Sequence, residues 1–339
     1  MLPHFFYFIY KYFFYNIYEN LIMFRIILTK IAAGLLTTLG VSIVIFLGTN
    51  ALPGDAAQIR LGQAATEDSL RALREELGLN LPLYQQYFRW LFNFLQGEFG
   101  TSLASGNVTI AQLISDRYEN TLIVSTLTAM IGVPISVGLG IMAAMFPGTI
   151  YDRFLTLGSV TLVAAPEFFT ATLMVLFVVF FLGIGNAVVV GSIEDKNLAE
   201  LITHFILPIA TLCLVIAAQL IRMTRAAVLN VMNSPYIEMA ILKGIPRRRV
   251  VMRHALLNAI GPIVNVIAIN LAYVVTGVIV IEVYFGYAGL ATLIVQGVQT
   301  RDYILIQTLG MIFCATYVIL MMIADLASIL SNPRLRHPK

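Results

Sequence analysis

The chain has 339 residues, of which 59% are hydrophobic and 12% charged, with a formal net charge of +3. A soluble domain of this length needs far more polar surface, so the composition excludes that class and indicates a polytopic membrane protein. The two cysteines, Cys213 and Cys314, lie in different apolar stretches without metal-ligand spacing and read as buried apolar thiols.

Residues Leu2 to Tyr18 are crowded with Phe and Tyr and broken by Lys11. The segment is too short between charges to span a bilayer and too aromatic for a signal-peptide core. It suits the headgroup level, where Tyr partitions. Alternatively translation begins at Met23, the reading expected here, and residues 1–23 are an aromatic extension outside the working protein.

Runs of about 20 uncharged residues cross a hydrocarbon core. Six such runs occur: Ile31–Leu52, Asn120–Phe146, Phe154–Gly183, Phe205–Ile221, Ala255–Ile281 and Tyr303–Ala324. The third is interrupted by Pro166-Glu167. The first transmembrane unit is set at 24–52, a long loop at 53–119 and a transmembrane core at 120–336. Within the loop, Glu67–Leu77 reads as an amphipathic helix ended by Gly78, and Tyr84–Leu95 as a second one after Pro82.

Charge orients these spans. Between Arg222 and Arg253 seven basic residues stand against Glu238 alone, a net of +6. Glu194, Asp195 and Glu200 against Lys196 give the loop after the third span a net of −2. The basic loop and both termini, the second carrying Arg334, Arg336 and Lys339, are expected inside. The long loop is expected outside.

The basic loop holds a second signal. Ser234 is suited to cap a helix, Pro235 suits its first position, and Glu238 lies near the positive end of its dipole. Gly244 suits a left-handed helix end. Pro246 can then open a second helix carrying Arg247, Arg248, Arg249 and Arg253 into the fifth span. The expected short helix is 235–244, parallel to the membrane surface and outside every span.

Glu238-Met239-Ala240, three residues, then Gly244 resembles the E-A-A-x-x-x-G signature of ABC-importer permeases. R-H-A-L-L-N-A-I-G-P, from Arg253 to Pro262, resembles the dipeptide/oligopeptide/nickel permease branch (B-type subunit). Met239 departs from the first Ala of the signature, and the I-x-L-P tail is absent. Further pieces fit: L-P-G-D at Leu52–Asp55, L-G-L-N-L-P-L at Leu77–Leu83, Y-F-R-W-L at Tyr87–Leu91, G-T-S-L at Gly100–Leu103 and R-D-Y at Arg301–Tyr303. V-I-E-V-Y-F-G-Y-A-G-L-A at Val280–Ala291 has Ala288 in place of the family's Pro. N-P-R-L-R at Asn332–Arg336 has Asn332 where Asp is common. The resemblance covers roughly Phe24 to Arg336.

The resemblance implies an all-α membrane protein whose short helix is the coupling helix, with Glu238, Met239, Ala240, Gly244 and Arg247 at the contact with a cytosolic ATPase. It implies a second permease subunit, two ATPase subunits that bind ATP and Mg, and an extracytoplasmic solute-binding protein. The location implied is the bacterial inner membrane, and the cargo a dipeptide, oligopeptide, glutathione-like peptide or nickel chelate. The arginine run has the alternative of contacting anionic lipid.

The residues agree in what they lack. There is no G-x-x-x-x-G-K-[ST] and no Gly-Lys pair, so this chain is expected to hold no ATP of its own. His4, His204, His254 and His337 are scattered, and no H-E-x-x-H or G-x-S-x-G occurs, so no enzyme and no resident metal are expected. Partners in nucleic acid are not expected either. A self-contained secondary carrier is the competing class, and only Pro166-Glu167 points to it.

Three acids lie near the membrane. Glu167 reads equally as a pathway residue, with Pro166 freeing carbonyls beside it, or as an acid facing a gap where it is solvated. Glu282 is expected to be solvated at the outer end of the fifth span. Asp325 is expected to pair with an Arg at the inner end of the sixth. Gly132, Gly138 and Gly140, Ala217 and Ala218, and Ala268, Ala272 and Gly277 are expected to allow close helix packing. Pro134, Pro208 and Pro262 each suggest a kink or helix entry.

Overall fold

A computed structural model describes residues 2–51, 54–62, 65–106, 108–183 and 204–331, with side chains described within 24–327. Long uncharged runs must satisfy their backbone hydrogen bonds internally, which in a membrane favours helices. The described residues accordingly form helices throughout, with one isolated bridge between Thr101 and Thr109.

Helix α1 covers Leu2–Asn50 and is apolar enough to span over Phe24–Asn50. Four short helices follow: α2 (Ala56–Leu61), α3 (Glu67–Glu76), α4 (Leu83–Gln96) and α5 (Ile110–Ser115). Then come α6 (Tyr118–Met145), α7 (Ile150–Ala164), α8 (Glu167–Phe181) and α9 (Ile206–Met232). The short α10 is Pro235–Leu242, and α11 runs from Arg247 to Phe285. Helices α12 (Leu290–Thr300) and α13 (Tyr303–Ser331) complete the order. Among the described residues five helices are long and apolar enough to cross a membrane, or six if α7 and α8 count as one broken span.

The third expected span departs from a simple kink. Pro166 has no N–H to continue the helix and disfavours helical geometry at Ala165. Ala165 is extended (ψ 132°), and α7 and α8 meet at 114°. By contrast Pro134 and Pro262 sit inside continuous helices, and Pro208 lies in the first turn of α9.

The core lies where α6, α9 and α11 meet, around Val124, Leu212, Ile216, Val274 and Ile281. Small residues bring α6 onto α9. A Cβ on Gly140 would stand 2.8 Å from the Ile221 carbonyl, and one on Gly132 would stand 2.7 Å from Ile216 Cδ1. Gly138 does not share this role, because a Cβ there meets nothing within 4 Å. Cys213 and Cys314 are half-buried rather than fully enclosed.

Polar contacts fix the two ends. At the end near the basic loop, Arg225 of α9 makes a bidentate pair with Asp152 of α7, at 2.5 Å (Nε–Oδ1) and 2.9 Å (Nη2–Oδ2). Asp325 pairs with Lys30 of α1 at 2.7 Å, not with an Arg, because α1 lies against α13 and brings Lys30 level with the acid. At the opposite end Asp302 is fully buried. It accepts from Ser102 Oγ (2.5 Å), Leu103 N (2.8 Å) and Leu305 N (3.2 Å), tying the Gly100–Leu103 motif to α13. Leu52, Pro53, the acidic loop Glu194–Glu200, and the segment Asn332–Lys339 lie outside the described residues.

Glu282 is corrected by the structure. It is 0% exposed, not solvated. Its carboxylate accepts from Thr292 N (2.6 Å), Thr292 Oγ1 (3.1 Å) and Thr121 Oγ1 (3.0 Å). The chain turns back through Gly286 (φ 71°), so α12 begins directly over the acid, and free amides at a helix start favour a carboxylate.

Candidate functional site

Two groups of the expected residues are placed by the fold. The first is α10. Pro235 stands at its first position, and Glu238 lies in its first turn. Gly244 has φ 75° and receives no close neighbour, so its role is the left-handed turn rather than a tight fit. The amide of Ile245 donates to the Ala240 carbonyl at 3.2 Å and closes the helix end.

Ser234 does not cap α10 with its side chain. Its hydroxyl instead donates back to the Val231 carbonyl. The last turn of α9 leaves carbonyls without helical partners, and only Asn233 and Ser234 separate the two helices. The shortness of the joint therefore decides which helix the hydroxyl serves.

The short helix has two faces. Ile237 and Ala240 are buried against Val250 and Ala255 of α11, with Val231, Met232 and Ile245 around them. Tyr236, Met239, Ile241 and Leu242 are exposed, Met239 at 55% and Leu242 at 74%. Glu238, Lys243, Gly244 and Arg247 are also exposed. An apolar patch rimmed by charge, on a helix outside every span, has the composition of a protein-docking surface. Pro246 caps the next helix without a side-chain bond, and the arginines occupy its first turn. Immediately afterwards Val250–Ala255 is π-helical.

The second group lies where α8 meets α11. Pro166 is exposed at the break, and Glu167 opens α8. Tyr273 donates its hydroxyl to Glu167 Oε1 at 2.5 Å, while Glu167 Oε2 is enclosed without a hydrogen-bond partner. Tyr284 donates to Thr172 Oγ1 at 2.9 Å further along the same contact. Asn258, Tyr273, Thr276 and Tyr284 are all exposed on α11. Tyr273, Thr276 and Tyr284 follow at helical spacing, forming a polar stripe on an otherwise apolar helix. Sequence reading found Glu167 through its charge but missed these neutral partners, whose only signal was that spacing.

Among the described residues no group of three or more His, Cys, Asp or Glu is gathered as a metal ion requires.

Two family models match. Residues 136–337 match the binding-protein-dependent transport system inner membrane component, and residues 23–137 match the N-terminal part of such a membrane component. A probable peptide ABC transporter permease protein, y4tP, of Sinorhizobium fredii is 35% identical over 312 residues, covering 92% of this chain and 99% of the relative. The glutathione transport system permease protein GsiC of Escherichia coli K12 is 33% identical, covering 90% and 96%. Its counterpart in Salmonella paratyphi A is 32% identical, covering 93% and 100%.

Proposed function

This chain belongs to the inner membrane components of binding-protein-dependent transport systems, as an ABC-importer permease of the dipeptide/oligopeptide/nickel family, and from that premise we propose a division of labour within it. It is a multi-pass permease subunit of an importer, a membrane component that is not itself an enzyme. A second permease subunit completes the pore. Two cytosolic ATPase subunits bind ATP and Mg2+ and hydrolyse the nucleotide. An extracytoplasmic binding protein delivers a peptide cargo, a dipeptide, an oligopeptide or a glutathione-like peptide. The peptide and glutathione permeases among the relatives support that cargo class.

The single observation that carries the reading is the two-faced α10. Its inner face is locked onto α11 through Ile237 and Ala240, and its outer face of Met239 and Leu242 is left open. Force applied to the outer face passes directly to the start of α11, which carries the polar stripe. In this reading Glu238, Met239, Gly244 and Arg247 form the ATPase contact, Ala240 is corrected to a residue buried against α11 that holds the helix from behind, and Pro166 and Glu167 border the pathway. The net charge of +6 around α10 sets that face, and both termini with it, in the cytoplasm. Alternating access then requires that ATP favour one of two arrangements by differential contacts.

Gly244→Val tests it. A bulky residue in the left-handed region costs about 1–2 kcal/mol. It re-aims α10 while touching no span. Co-expressed with its partners, this variant should insert normally, yet lose ATPase recovery on purification or hydrolyse ATP without substrate-dependent stimulation. Normal recovery with normal transport would remove the assignment.

A further inference from the structure

Helix α4, in the long loop between α1 and α6, carries an apolar row that no described residue covers. Tyr84, Phe88, Phe92 and Leu95 recur at i, i+4, i+8 and i+11 and so share one face. The first three are 61–63% exposed and Leu95 is 73% exposed. A second face packs on α1, where Tyr87 and Trp90 meet Phe46 at ring-centroid distances of 5.4 and 5.8 Å. The polar residues Gln86, Arg89 and Asn93 turn to a third side and line a cleft with Asn50 and Glu76. Arg89 is the one charge among the fourteen residues of α4. The neighbouring α3 is the reverse. It carries Glu67, Asp68, Arg71, Arg74, Glu75 and Glu76 in ten residues and buries none of them, as suits a helix in water.

Helix α1 fixes the depth of α4. Ser42 and Tyr87 share a buried hydrogen bond of 2.7 Å. Lys30, paired with Asp325, marks one end of the α1 span, and about 20 residues counted from there cross the hydrocarbon and reach Asn50. Ser42 lies about 12 Å short of Asn50, at ~1.5 Å per residue. A side chain bonded to Ser42 is therefore within the membrane and not above it.

The same face of α1 shows what surrounds α4. Leu35, Leu39, Ser42 and Phe46 stand at i, i+4, i+7 and i+11 and line one side of the helix. Ser42 and Phe46 are buried beneath α4, whereas Leu35 and Leu39, deeper in the span, are 66% and 44% exposed. The row on α4 continues this open apolar strip of a spanning helix, and an apolar surface at that depth meets hydrocarbon.

We propose that α4 is a membrane-embedded helix whose partner is the lipid itself, with Tyr84, Phe88, Phe92 and Leu95 set among the acyl chains of the leaflet at the Asn50 end. Arg89 and the amides beside it keep to the cleft. The long loop is thereby anchored in the bilayer at α4 while α3 stays in water. On the orientation proposed above this is the outer leaflet, but α1 sets the depth whichever way the chain is turned, so the inference stands apart from the ATPase contact.

The test places single nitroxides at Phe88→Cys, Phe92→Cys and Glu75→Cys in the assembled transporter in lipid nanodiscs, with all other reactive thiols removed. All three positions are exposed, so the labels displace no packed neighbour. Power saturation then compares collisions with oxygen, which concentrates among acyl chains, and with a nickel chelate, which stays in water. The ratio of oxygen to nickel collisions should be several-fold higher at Phe88 and Phe92 than at Glu75. A ratio at Phe88 and Phe92 equal to that at Glu75 would place the row in water and overturn the proposal. So would poor access of both reagents to Phe88 and Phe92, which would assign the row to contact with a protein partner.

Discussion

Arg225 grips Asp152 with both arms of its guanidinium, across 73 residues of sequence and between two different helices. Asp152 is only 3% exposed, and Thr149 N-caps the helix that carries it. Removing one partner leaves the other charge enclosed, which costs on the order of 3–5 kcal/mol. Arg225→Met should therefore lower the thermal aggregation temperature of the solubilised complex clearly. Asp152→Leu combined with Arg225→Met should recover part of the loss, since it leaves no orphaned charge. Equal stability of the single variant and the parent would show the pair to be idle.

Glu282 gives a second prediction. Glu282→Ala leaves the Thr292 amide and the Thr121 hydroxyl without their acceptor, at about 1–3 kcal/mol for each enclosed group. Glu282→Gln keeps the shape and should lose less. Gly289→Ala should be as damaging as Glu282→Ala, because its Cβ would stand 2.3 Å from Glu282 Oε2. Proteolysis of the loop between α11 and α12 in inside-out and right-side-out vesicles measures all three. Indifference of the loop to Gly289→Ala would contradict the packing described.

At the α8–α11 contact, Glu167→Gln should leave insertion and complex recovery intact but change transport. Tyr273→Phe should act in the same direction more weakly, since it removes one hydrogen bond to the same carboxylate. Uptake of a radiolabelled dipeptide into proteoliposomes reads both. Unchanged uptake for Glu167→Gln would assign the acid to solvation of a gap, the alternative its position allows.

Topology gives a fourth. A single cysteine at Arg248, in a background lacking Cys213 and Cys314, should react with an impermeant maleimide only after the membrane is opened. One placed at Glu75 of α3 should react in intact cells. Labelling of the Arg248 position from outside would invert the arrangement.

What could be read in advance follows from how local each signal is. The spans rest on runs of uncharged residues, and α10 on Pro235, Glu238 and Gly244 within ten positions. Both survive folding because their causes lie inside the segment. Gly78 ends α3 for the same reason, with φ 70°. The contacts that were missed pair distant residues: Asp152 with Arg225, and Ser102 with Asp302 across 200 positions. Nothing in either partner's neighbourhood announces the other. Glu282 was misjudged because its solvation depends on where α12 begins, not on its place at a span end. Ser234 was misjudged because a two-residue joint keeps its hydroxyl within reach of the Val231 carbonyl in the last turn of α9. Pro166 announced a break, but the 114° angle depends on how α7 and α8 each pack on α9.

On the function proposed above, the open face of α10 meets the ATPase, and a photo-crosslinker at Met239 reports that contact. Met239 is 55% exposed, while Ile237 and Ala240 beside it hold the helix in place. With benzoylphenylalanine at Met239, irradiation of the co-expressed complex should give a single adduct with an ATPase subunit. The same group at Tyr273 should give none with that subunit. An adduct only with lipid at Met239, from a complex that retains its ATPase subunits, would contradict the account.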